Sequence, residues 1–250
     1  MEPLSNELLY YYHDNLTLIM VLAWVVISYL GYTLKSNSIK NKISYFLISF
    51  SILQEIIDWL NRIFFDTEYV LSFKSDLPLQ YCIFGFYFSI ICIIMATKKD
   101  SFNKKIEQFL FECAYVLGFA GGLQALFAVD LTGINNMIGA FSLNWAHSLI
   151  ILNVLWLIFA YKKRFMFISI FRAYAFIIFI IIPVGLINFL LNKFGIEANY
   201  MFLCSPPNVD SSFFIGEWPI YIFWLAIIYF VYVFVLYIPF KIVDLFNKQS

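Results

Sequence analysis

Cys82 and His147 are the two side chains of this sequence whose chemistry can combine into a nucleophile and its base. A thiol attacks a carbonyl carbon only as the thiolate, and apolar surroundings oppose its ionisation, so a working cysteine needs a proton acceptor beside it. Asn144 precedes His147 by one helical turn, where a carboxamide can fix the imidazole tautomer in the manner of a Cys-His-Asn arrangement. His13, the only other histidine, is a second candidate base or a lid residue, and Glu55 can orient either ring. The plainer alternative is that a buried cysteine is a small hydrophobe, and Cys92 and Cys113 are read that way. Four cysteines with no close pair, and two histidines, supply no zinc pattern. No metal and no cofactor is expected.

Long apolar helices must position these residues. The 250-residue chain is 62% hydrophobic and 13% charged, with 30 phenylalanines and a mean hydropathy of +0.82, more apolar surface than a water-soluble domain can hide. Its 16 basic and 16 acidic residues leave no basic face for nucleic acid. A bilayer crossing needs about 20 apolar residues. Seven stretches qualify, at 16–34, 43–65, 77–97, 106–129, 141–161, 165–192 and 218–240. The first is not a cleaved signal, because Glu2, Glu7 and Asp14 precede it without a basic residue.

Charge then sets the topology. Lys35, Lys40, Lys42, Lys98, Lys99, Lys104, Lys105, Lys162, Lys163, Arg164, Lys241 and Lys248 fall on one set of turns. The opposite set holds only Lys74 and Lys193, among Asp66, Glu68, Asp76, Asp130, Glu197, Asp210 and Glu217. The expected protein is all-α and polytopic, with seven transmembrane helices, its N-terminus outside, its C-terminus cytoplasmic, and residues 1–250 forming one transmembrane domain. A multi-pass protein of the cell membrane follows, with the bacterial plasma membrane as the expected location.

Polar side chains inside a bilayer are costly and are functional candidates by default. Glu55, Asp58 and Arg62 share one face of the second helix, Gln80 and Cys82 open the third, Gln124 ends the fourth, and Asn144 and His147 begin the fifth. Asn188 closes the sixth, and Tyr200 lies on the outer loop 193–217, which can cover a mouth. Counting ~1.5 Å per residue puts Cys82 and His147 at a shared depth of ~8 to 9 Å, the mark of a polar cavity opening outward. Gln80, Gln124 and Asn144 are candidate oxyanion donors there. Asp58 and Arg62 can equally be an ion pair bracing their helix, Gly118 and Gly122 read as helix packing, and Pro183 as a kink. Glu112 is a candidate partner of Arg172, and a Cys82 to Cys204 disulfide is possible.

Several segments together resemble the YwaF-like family of bacterial membrane proteins: Leu77-Pro78-Leu79-Gln80-Tyr81-Cys82, ECAYVLGFAGGLQAL from Glu112 to Leu126, His147-Ser148-Leu149-Ile150, NYMFLC from Asn199 to Cys204, and Gly216-Glu217-Trp218-Pro219. The eukaryotic relatives of that family, the transmembrane protein 164 group, are regarded as phospholipid acyltransferases working through a cysteine. The resemblance implies acyl transfer from a membrane phospholipid, with Cys82 in the nucleophile's position. A rival reading makes the chain a transporter or small-molecule binder using Glu55, Asp58 and His147. A third is a membrane scaffold or receptor.

Overall fold

A computed structural model of the chain describes residues 5–98, 103–127, 129, 131, 133–206 and 215–247; Glu2, Lys99, Asp130, Pro207, Asp210 and Lys248 lie outside them. Seven α-helices account for most of the described residues, among which there is no strand: α1 (Asn6–Thr33), α2 (Asn37–Leu60), α3 (Tyr81–Thr97), α4 (Lys104–Phe127), α5 (Met137–Ala160), α6 (Phe167–Lys193) and α7 (Ile220–Asn247). Six are long and apolar enough to cross a membrane, and α3, with 17 residues, is shorter. The protein is thus an all-α, multi-pass membrane protein.

Helix boundaries move from their expected places for local reasons. Ser5 caps α1 by accepting from the Leu8 N–H, so the helix starts ten residues early and carries His13 inside it. α3 starts at Tyr81 rather than residue 77; Pro78 excludes Leu77 from the helix by disfavouring a helical residue before it. α2 runs into a π-helical turn, Asn61–Phe65.

The chain divides into two compact units, Met1–Leu71 with Tyr81–Lys163, and Ser72–Gln80 with Arg164–Ser250. In the first, α5 is the hub and packs against α1, α2, α3 and α4. Its neighbours alternate in direction. Asn144 near the start of α5 meets His13 near the start of α1, and a Cβ on Gly31 near the end of α1 would lie 2.9 Å from Phe159 Cβ, so the two helices run parallel. Polar bonds tie the hub along its whole length. Gln54 donates to Ser142 O, Asn153 donates to the hydroxyls of Ser51 and Ser89, and Trp156 donates to Ser44. At the far end Glu107, buried, takes Lys163 at 2.7 Å and Lys104 at 3.1 Å, and Lys40 donates to Ala160 O. Buried polar groups therefore do not gather in one half of the unit, as the sequence suggested.

Glycines let α4 approach its neighbours closely. A Cβ on Gly85 would sit 3.0 Å from the Gly118 nitrogen, and one on Gly118 would sit 2.5 Å from Ile150 Cγ2. Gly118→Val is accordingly expected to cost about 1–3 kcal/mol or more by overpacking. Gly185→Ala, whose nearest contact would be an ordinary 3.8 Å, should be near neutral. Thermal inactivation of both variants in one detergent checks the contrast, and equal midpoints would contradict it.

In the second unit α6 and α7 pack through Phe167 on Tyr237, Tyr174 on Phe230, and a Tyr174 hydroxyl donated to Ala226 O. A clasp forms at the end of α6. Asn188 and Tyr200 bond reciprocally through side-chain amide and backbone, both at 2.9 Å. The Tyr200 hydroxyl donates to Phe73 O and accepts from the Leu77 N–H.

Candidate active site around Cys82 and His147

Cys82 sits in the first turn of α3, where backbone N–H groups have no partner within the helix. On α4, Gly121 and Gly122 present no side chains: a Cβ on Gly121 would lie 3.1 Å from Cys82 Cβ, and one on Gly122 would lie 3.2 Å from the carbonyl oxygen of His147. Consecutive helical residues differ by ~1.5 Å in height and about 100° in direction. Cys82 and the His147 backbone therefore flank one turn of α4 at one level. Cys82 packs at the margin of a core cluster made of Phe86, Ile90, Trp145, Leu149 and Ile150, the apolar seam between α3 and α5.

The ring of His147 has a defined tautomer. Its Nδ1 lies 2.7 Å from Leu143 O, and a carbonyl can only accept, so Nδ1 carries the proton and Nε2 the lone pair. Both Cys82 and His147 are half-buried, so neither is sealed from a reactant.

Asn144 does not serve His147. Its amide donates to Thr17 Oγ1 at 2.6 Å and to His13 O at 3.2 Å, and lies 3.4 Å from His13 Nδ1. His13 Nε2 lies 3.0 Å from Leu126 O and donates to it, so the fully buried ring ties α1 to α4 and α5. Ser148 donates to Asn144 Oδ1, and Trp24 donates to Ser148 O. The contact that fixes the His147 tautomer comes from the Leu143 carbonyl and not from Asn144, and His13 is buried against Leu126 and Asn144.

The other expected members are placed elsewhere. Glu55 accepts from Trp59 and from the hydroxyl of Tyr87, which is exposed, at the α2–α3 rim, and orients neither histidine. Asp58 is in an ion pair with Arg62 at 2.7 Å, the bracing arrangement. Gln124 is exposed on α4. Gln80 belongs to the second unit and accepts from the Met201 N–H, while Asn188 and Tyr200 spend their bonds on the clasp. Burial pushes the Tyr200 phenol above its ordinary value, so it remains a protonated donor. Thr17, Ser148, Ser51 and Asn153 escaped the sequence reading. Asn153, a carboxamide in the uniformly apolar second half of a 24-residue helix, was the detectable one.

All four cysteines are free thiols, so no Cys82 to Cys204 disulfide is formed. No group of three or more His, Cys, Asp or Glu among the described residues can hold a metal ion. Cys204 is exposed, and burial of its sulfur outweighs the amide of Asn192 at 3.7 Å and raises its pKa. Its thiolate is therefore scarce at neutral pH and grows as pH rises. Maleimide labelling of the Cys204 peptide should climb about tenfold per pH unit through pH 8 and beyond, and a flat profile would contradict that environment.

Compared with known proteins, the chain matches the model of one family, the TMEM164 family, over residues 5–237. No curated protein and no solved structure matches it.

Proposed function

From membership of the TMEM164 family, to which this chain belongs, we propose that the protein is a membrane phospholipid acyltransferase working through a Cys82 thioester. The observation that carries the reading is the side-chain-free step Gly121–Gly122, which lets Cys82 and His147 share one level of the α3–α4–α5 junction. His147 Nε2 takes the thiol proton, and the thiolate adds to an ester carbonyl of a phospholipid. In this reading the N–H groups of the first turn of α3 donate to the oxyanion, where a good donor in a dry site is worth about 3 to 4 kcal/mol. Collapse of the adduct breaks the ester C–O bond; the imidazolium returns its proton to the departing lysolipid oxygen, and the acyl group stays on sulfur. A hydroxyl or amine of a second lipid then loses its proton to His147, attacks the thioester and releases the thiol.

The same reading includes the bacterial YwaF-like branch, a plasma-membrane location and seven crossings. α3 runs parallel to α5, since both pack antiparallel on α4, Cys82 and His147 at Gly121–Gly122 and Gly85 and Ile150 at Gly118, and Ser89 meets Asn153 farther along, which supports a crossing despite its length. With the lysines at one set of helix ends, an odd number of crossings puts the N-terminus outside.

The test is direct. Purified protein incubated with a phospholipid labelled in its acyl chain should carry a hydroxylamine-sensitive adduct that maps to Cys82. Absence of any adduct, together with solute flux into liposomes that depends on Glu55, would replace this reading with a transporter.

A further inference from the structure

Between α6 and α7 lies a cavity of about 380 Å³, within the range of small-ligand sites. From α6 come Ile181, Gly185 and Phe189; Ile222 of α7 and, from the segment between the helices, Leu203 and Trp218 complete the walls, and Asn192 and Cys204 stand at one end. The slot is graded in polarity. Ile181 to Asn192 spans about 16 Å of helix, hydrocarbon at the inner end and an amide with a thiol at the helix terminus, where a span meets the headgroups. Gly185 keeps it open, since a Cβ there would meet nothing closer than Leu203 Cδ1 at 3.8 Å.

We propose that this slot holds one acyl chain of a membrane lipid, its methylenes along Ile181 and Gly185 and its carbonyl region beside Asn192 and Cys204. Three observations select this occupant. α6 and α7 are apolar enough to cross a membrane, and their outer faces are bare, with Phe179, Ile182, Phe223 and Val231 all more than half exposed. Hydrocarbon is thus the medium that reaches the slot. The polar groups are confined to the end that faces the interface, which fits an amphiphile and not a purely apolar molecule. Trp218, whose indole N–H donates to Leu203 O at 3.0 Å, sits at that same end, the level at which tryptophan anchors to lipid carbonyls. The proposal concerns binding alone and does not depend on chemistry at Cys82.

The probe is a phosphatidylcholine bearing a diazirine near the end of one acyl chain, photolysed with the full-length protein in nanodiscs. Crosslinks located by fragmentation should concentrate on Ile181, Gly185 and Ile222, and Gly185→Leu should lower them about tenfold while labelling of Phe179 and Ile182 persists. Excess unlabelled lysophosphatidylcholine should suppress the slot labels on the unaltered protein, a readout independent of how any variant folds. Labelling spread evenly over α6 and insensitive to both interventions would overturn the proposal. So would a Cys204 to Cys204 crosslink by a short bismaleimide with no lipid label, which would put a second copy of the chain there. Cys82→Ala should leave every slot label unchanged, so failure of the acyltransferase reading and failure of this one are separable.

Discussion

Cys82→Ala is expected to lower acyl transfer by about a millionfold, the scale on which removal of a covalent nucleophile is felt, and to erase the hydroxylamine-sensitive adduct. The protein should stay folded, because the Cys82 side chain is half-buried and alanine fits the contact with Gly121. His147→Gln should cost less, about 10²- to 10⁴-fold, the usual contribution of a positioned general base. Its residual rate should rise with pH as the thiol ionises unaided. That difference in pH profile separates a base from a packing residue, since loss of packing would lower the rate equally at every pH. Measurement of initial rates between pH 6 and 9 for both variants and the parent protein checks the pair. If Cys82→Ala keeps a tenth of the parent rate, cysteine chemistry at this position is finished as an account of the family member described here.

Asn144→Leu should give the largest loss of stability. In membranes an interhelical hydrogen bond averages ~0.6 kcal/mol, so the three contacts to Thr17 and His13 would account for only about 2 kcal/mol if water replaced them. Water cannot, because Asn144, His13 and Ser148 are fully buried and Thr17 nearly so, and each orphaned group adds about 1–3 kcal/mol. A total of about 3–5 kcal/mol is a large part of the ~5–15 kcal/mol that holds a typical domain together. His13→Leu should destabilise comparably, and the double variant by much less than the sum, because each change orphans what the other has removed. Inactivation half-lives in detergent give the coupling. Additive losses would break the His13–Asn144 link, and an Asn144→Leu protein of full stability but no activity would move Asn144 into the chemistry.

The hydropathy and charge pattern was sufficient for the class of fold. Phenylalanine-rich stretches about 20 residues long, separated by lysine clusters, leave a helical membrane protein as the one economical solution, since a backbone in hydrocarbon must satisfy its own hydrogen bonds. The helix-packing role of Gly118 and Gly122 was legible too, as was the Asp58–Arg62 pair, because both depend on spacing along a single helix. The shared depth of Cys82 and His147 came from counting residues, and Gly121–Gly122 now supplies a physical cause for it.

Partner choice was another matter. Residues near in sequence or equal in depth compete for the same carboxamide, and only the rotation of each helix about its axis decides the outcome. Asn144 stands one turn from His147, yet α1 packs on the side of α5 that carries Asn144, and His13 takes it. Gln80 stands two residues from Cys82, but the helix begins only at Tyr81 and leaves Gln80 in the loop segment, where it meets Met201. Glu55, expected to orient a histidine, turns to Tyr87 instead. Periodicity along one strand of sequence fixes length, height and sidedness within a helix, because those follow from local geometry. The azimuth of one helix against another is set by close packing at glycines such as Gly85 and Gly118, a contact between residues far apart in the chain, and it appears only when the helices are assembled.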